Sequence, residues 1–140
     1  MTIKNIENCS IEEWQTLVNG IATEKGWWEG FEAACAASPL QDTSDDTEAM
    51  TPEAINWIAA KLLLITSEVS EAAECLRKGE MRARVDPETK KPEGFEVELA
   101  DAVIRILDMA EGLGLNLGRA MLLKTEYNRL RPYRHGGKKF

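Results

Sequence analysis

Apolar residues in this chain recur at three- and four-residue intervals, in stretches separated by short breaks rich in polar residues, glycine or proline. Such spacing places apolar side chains on one face of an α-helix. Ser10, followed three residues later by Glu13, is a capping-box pattern. It predicts a helix over about 10–24 with Ile11, Trp14, Leu17, Val18 and Ile21 as its apolar stripe, punctuated by Gly26. The aromatic stretch from Trp27 to Ala37 predicts a short helix or turn, and the polar, acidic residues 38–51 a loop. Thr51-Pro52 starts a long helix, with threonine as N-cap and proline at the first helical position. That helix runs to about Lys78, where Gly79 is a suitable stop. Residues 80–93 read as a basic, proline-containing loop. A further helix covers about 94–111, and the last runs from a cap at Asn116 to about Leu130, halted by Arg131-Pro132. No run alternates apolar and polar residues at period two, so the expected class is all-α.

On a helical wheel, at about 100° per residue, the predicted core stripe of the helix 52–78 is Ile58, Leu62, Ile65, Val69, Ala72, Ala73 and Leu76. Beside it runs a second row: Trp57, Lys61, Leu64, Glu68, Glu71 and Cys75. The helix 94–111 has a core stripe of Phe95, Leu99, Ala102, Val103, Ile106, Ala110 and Leu113, flanked by Glu98, Asp101, Arg105 and Asp108. A solvated charged face lies opposite the core, whereas these acidic rows lie next to it. Glu68-x-x-Glu71 and Glu98-x-x-Asp101 each put two carboxylates on one helix face. Glu71 stands about 12 Å of helix before Gly79, and Glu98 comes soon after the next helix begins. An antiparallel hairpin therefore brings the two pairs to similar heights. Four converging carboxylates repel one another without a cation, and oxygen-only ligands suit a hard divalent ion. Mg²⁺ is the expected ion, with Mn²⁺ as a substitute, and such a site points to chemistry on phosphates. Plain solvation of both acidic pairs is the competing interpretation. A di-iron carboxylate bundle needs Glu-x-x-His pairs, and the single histidine, His135, is in the tail.

Length and composition narrow the picture. The 140 residues fit one domain, 1–140, with a basic C-terminal tail over 131–140. Apolar content of 44% and charged content of 29% are those of a soluble globular protein, and no apolar run is long enough for a membrane span. The first residues, Met1 to Asn8, lack an apolar signal core, so a cytoplasmic location is expected. Three widely spaced cysteines without a C-x-x-C pattern indicate neither a zinc site nor a disulfide framework. The net charge of −7 argues against a nucleic acid polymer as partner. From Arg119 onward, however, there are seven Lys/Arg and one Asp/Glu. That basic end is either a solvated tail or one that folds over an anion near the acidic site.

The run Glu68-Val-Ser-Glu71-Ala-Ala-Glu74, followed after residues 72–97 by Glu98-Leu-Ala-Asp101-Ala-Val, resembles the MazG-like all-α nucleoside triphosphate pyrophosphohydrolases. Their signature is E-x-x-E, a gap, then E-x-x-D. The ending from Glu126-Tyr-Asn-Arg-Leu-Arg-Pro to Phe140 and the Lys-Gly-Trp-Trp motif at 25–28 are similar to a bacterial and phage branch of that family. Ser70 stands where many relatives have glycine. The resemblance implies antiparallel helical hairpins that assemble into a four-helix-bundle-like core across the interface of a homodimer or homotetramer. It also implies a Mg²⁺-dependent reaction, (d)NTP and water to (d)NMP and pyrophosphate, that controls or cleanses the nucleotide pool. Metal binding falls to Glu68, Glu71, Glu98 and Asp101. Some phage-encoded relatives remove particular deoxynucleotides, dGTP among them, which adds a guanine-nucleotide preference as an option.

Further candidates follow from their positions. Glu71 or Glu74 is expected to accept the proton of the attacking water. Asp108, on the row of Asp101, is either an additional or supporting residue of the metal site or a plain surface carboxylate. Lys61 precedes Glu68 by about 10 Å of helix, the scale of a triphosphate. Lys124, Tyr127, Asn128 and Arg131 share a face of the last helix and, with Arg134, Lys138 and Lys139, are candidates to close over phosphates. Trp57 is a candidate to stack on a base, with Trp27, Trp28 and Phe31 as the opposite wall. Two other functions stay open: a non-catalytic helical interaction module, and a nucleotide- or metal-binding regulator without turnover.

Overall fold

Local capping signals set several helix ends in the computed structural model, which describes residues 9–36 and 50–132. Helix α1 spans Ile11–Glu24, and both halves of the Ser10/Glu13 capping box are formed. A short α2, Phe31–Ala36, follows the Trp27-Trp28 turn. The long α3, Pro52–Lys78, begins where Thr51 Oγ1 accepts the Ala54 N–H at 2.9 Å. The same hydroxyl donates to the Ala34 carbonyl at 2.7 Å and ties α2 to the start of α3. Gly79, at φ 76°, closes α3 in the left-handed region that glycine enters without strain. Helix α4 covers Phe95–Gly112, and α5 covers Leu117–Arg129 with Asn116 as its side-chain cap.

The segment read from sequence as a plain loop contains a small antiparallel hairpin. Strands β1 (Arg84–Val85) and β2 (Pro92–Glu93) pair Arg84 with Glu93 and Val85 with Pro92. Two-residue strands are too short to leave an alternating pattern in the sequence. The Asp86 carboxylate turns the tip by accepting the N–H groups of Glu88 and Thr89, which holds its pKa below the usual 3.8. At the base, Glu96 accepts from the Ala83 N–H and from Arg82, and the Phe95 N–H donates to the Glu80 carbonyl at 2.9 Å. Gly94, at φ 111°, lies so close to the Arg82 carbonyl that a side chain has no room there.

Helices α3 and α4 form an antiparallel hairpin. Partners run in opposite directions along them, Lys61 with Asp108 and Glu68 with Arg105. Helix α1 packs on α4, α2 packs on α3, and α5 meets α1 while burying no residue. One chain thus supplies a hairpin with α1 against it rather than four core helices. None of the described helices is long and apolar enough to cross a membrane.

Among the described residues, the buried apolar ones are Val18, Ala54, Ala72, Ala102, Leu107 and Ala110. Much of the stripe expected to form the core is outside it: Leu62 (49% exposed), Val69 (53%), Leu76 (54%), Leu99 (42%) and Val103 (53%) face solvent. The acidic rows have turned into the seam instead, where Glu68 and Glu98 are buried. With Ile55, the residues Leu62, Val69 and Leu76 form an exposed row that repeats every seven positions along α3.

Candidate metal centre and adjoining pocket

The antiparallel register of the hairpin brings Glu68 of α3 beside Glu98 and Asp101 of α4. One carboxylate oxygen from each lies within 4.8 Å of the others. Glu68 and Glu98 are only 7% and 8% exposed. Burial pushes the Glu98 carboxyl above its usual 4.5, and the charges of Glu71, Asp101 and Glu68 push it further. Burial and the Glu68 charge raise Asp101 likewise, with Arg105 and Lys91 pulling it back. The crowded negative charge is met within the chain by Arg105, whose Nε–H donates to Glu68 Oε1 at 2.7 Å. A convergent, oxygen-only donor set with surplus negative charge fits a hard divalent cation.

The other expected carboxylates take different places. Glu71 is exposed outside the three-residue cluster and accepts from the Ser67 hydroxyl at 3.3 Å, yet its charge reaches Glu98. Glu74 pairs along its own helix with Arg77. Asp108 is neither a surface carboxylate nor an open ligand. It is buried, its Oδ1 accepting from Trp28 Nε1 at 2.7 Å and Asn19 Nδ2 at 3.0 Å, and its Oδ2 from Lys61 Nζ at 2.9 Å. These partners from α1, the Trp27-Trp28 turn and α3 use both oxygens.

Lys61, read from sequence as a phosphate contact, is therefore already paired. Its Nζ also sits 3.9 Å from the Trp28 ring centroid and 4.6 Å from that of Trp57, a cation–π arrangement. Trp28, Phe31 and Trp57 pack together, with centroid separations of 4.7–5.3 Å. Trp28 is also wedged against Gly112, where no side chain would fit. It is thus the anchor of the cluster, while Trp27 and Trp57 line a neighbouring cavity of about 420 Å³. Lys61, Asp101, Arg105 and Asp108 line the same cavity, with Val18, Ile21, Leu64 and Ile104 as apolar wall. Asp101 and Arg105 belong to both features, so the cavity opens beside the carboxylates.

On α5, Lys124, Tyr127 and Asn128 are exposed and Arg131 beyond it is half-buried. Lys124 and Arg131 lie 5.1 Å and 5.7 Å from the Tyr127 ring. Among the described residues, no hydrogen bond or ion pair joins them to Glu68, Glu98 or Asp101. Arg134, His135, Lys138 and Lys139 lie outside the described residues, as does most of the expected loop 38–51.

No motif in the sequence points to Asn19, the Trp28 N–H, Arg105 or Lys91 as part of the site, although Arg105 lies on the acidic row, one turn past Asp101. The Asn19 and Trp28 contacts depend on how α1 docks on α4, which leaves no local signal. Comparison with models of protein families, with curated proteins and with solved structures gave no match.

Proposed function

We propose that this chain is a Mg²⁺-dependent nucleoside triphosphate pyrophosphohydrolase, taking (d)NTP and water to (d)NMP and pyrophosphate. One observation carries the proposal: Glu68, Glu98 and Asp101 converge, and Asp101 also lines a cavity of about 420 Å³ together with Trp27, Trp57, Lys61 and Arg105. The cavity is in the size range of small-ligand sites. The ordered acidic motifs and their family resemblance supply the reaction.

Mg²⁺ or Mn²⁺ bound by these carboxylates, with Glu71 at the rim, would polarise phosphate oxygens and acidify a bound water. Glu71 is the first choice to take that water's proton, since it is exposed beside the cluster. Glu74 ranks behind it because Arg77 already occupies it. Trp57 and Trp27 form the apolar walls on which a base would stack. Asp108 fixes Lys61 over Trp57 and so shapes this end of the cavity. The exposed row Ile55, Leu62, Val69 and Leu76, with Leu99 and Val103, supports assembly of two or four copies into a four-helix core. In such an assembly the cations of α5 would close over phosphates.

The same exposed rows favour a second function, a non-catalytic helical interaction module. A panel of nucleoside and deoxynucleoside triphosphates with Mg²⁺, scored for pyrophosphate and monophosphate, separates the two. It also tests a (d)GTP preference. Glu71→Gln and Glu98→Gln should each lower turnover at least ~100-fold while the helical fold persists. No product from any nucleotide would remove the enzyme proposal in favour of the module.

A further inference from the structure

Arg105 occupies a position that the proposed chemistry leaves unexplained. Its Nε–H holds Glu68, one of the three clustered carboxylates, at 2.7 Å. A guanidinium there and a divalent cation compete for the same negative charge. No other described residue accepts a hydrogen bond from Arg105, so among the described residues most of its donor fork has no acceptor. Arg105 also lines the cavity beside Asp101 and Lys61. The fork therefore stands at the boundary between the carboxylates and the space for a ligand, where it suits bidentate contact with phosphate.

We propose that Arg105 is an exchangeable counter-ion, which shields Glu68 from bare divalent metal and turns to phosphate oxygens when metal and a polyphosphate enter together. The proposal rests on Glu68, Glu98 and Asp101 being metal ligands. Its consequence is thermodynamic coupling: each ligand strengthens binding of the other because both share the displacement of one side chain. Metal alone must break the Glu68–Arg105 pair without a new partner for the guanidinium. Metal with a polyphosphate supplies that partner.

Direct Mn²⁺ binding, by calorimetry or electron paramagnetic resonance, tests this on the full chain without turnover. Inorganic pyrophosphate serves as the polyphosphate probe. Arg105→Met should bind Mn²⁺ roughly tenfold or more tighter than wild type when no phosphate is present, the scale on which residues supporting a metal site alter affinity. Pyrophosphate should tighten Mn²⁺ binding to wild type and have little such effect on the variant. Arg105→Lys, which keeps the charge, should stay close to wild type without phosphate. Equal or weaker Mn²⁺ binding by Arg105→Met overturns the proposal; if Glu98→Gln still abolishes binding, the metal ligands stand. Absence of Mn²⁺ binding in every variant removes the ligand assignment and the proposal together. A wild-type measurement guards against misfolded variants. The Arg105 Nε–H signal in nuclear magnetic resonance should move when Mg²⁺ and pyrophosphate are added together, and an unchanged signal at saturation refutes the exchange.

Discussion

Asp108→Ala removes the acceptor for three donors from separate parts of the chain: Asn19, Trp28 and Lys61. Lys61 and Asp108 have side chains only 12% exposed each, so the ammonium cannot simply return to water. Removing one partner of such a pair costs about 3–5 kcal/mol. The orphaned Trp28 N–H adds to this unless water reaches it, at about 1–3 kcal/mol. A loss near 4 kcal/mol is expected, and at roughly 3 °C per kcal/mol for a chain of this size it lowers Tm by about 12 °C. Urea unfolding followed by far-UV circular dichroism reads the effect, with the denaturant slope compared between variants. Lys61→Met provides the second arm of a double-mutant cycle. Removing both charges should cost less than the sum of the single changes by about 1–3 kcal/mol. A loss below ~1 kcal/mol for Asp108→Ala, or additivity within ~0.5 kcal/mol, would show that this carboxylate does not hold the three elements together.

The pH dependence of the metal-free protein follows from the crowded carboxylates. Glu98 and Asp101 titrate above 4.5 and 3.8 in the fold, so the folded chain binds more protons than the unfolded one just above those values. Their contribution to stability is present at lower pH and is lost as pH rises through the raised values. Asp86 and Glu96 are held below 3.8 and 4.5, so their contribution is lost only as pH falls through those lower values. Chemical unfolding between about pH 5 and 7 should show stability rising toward the acid end, and Glu98→Gln should flatten the slope. A slope of opposite sign, shared by wild type and variant, would refute this account. Thr51→Ala deletes both the cap of α3 and the bond to Ala34, for an expected loss of about 1–2 kcal/mol; Thr51→Ser should recover most of it, and equal unfolding curves for all three would contradict the capping argument.

Helix limits were legible because their causes are local. Ser10 with Glu13, Thr51 with Pro52, Gly79 and Asn116 act within one turn of the chain, and each does what its residue type suggests. The meeting of Glu68, Glu98 and Asp101 was legible for a related reason: once α3 and α4 are taken as an antiparallel hairpin, their distances from Gly79 and from the start of α4 set their heights. Which face turns inward was not legible. Val69 and Leu62 are more apolar than Glu68 and Lys61, so a wheel ranks them as core. Yet within one chain the polar row faces the seam, because Arg105 and Asp108 across it supply partners. A wheel cannot weigh partners on another helix, and it cannot distinguish an internal core from a face left for another surface. The Asp108 network joins residues 47, 80 and 89 positions apart, beyond the reach of any local pattern.

The clasp at the base of the small hairpin decouples the length of the connection from the rotational phase of α4. Phe95 is bonded back to Glu80, and Glu96 to Arg82 and Ala83, so the exit of one helix is fastened to the entry of the next. Everything from Asp86 to Lys91 hangs outside that closure. Residues gained or lost at the tip leave the helical phase untouched, whereas one residue gained between Gly94 and Glu98 swings the α4 carboxylates by about 100°. The tip is accordingly where this chain can accommodate an inserted peptide, and the five residues from Gly94 to Glu98 are where it cannot.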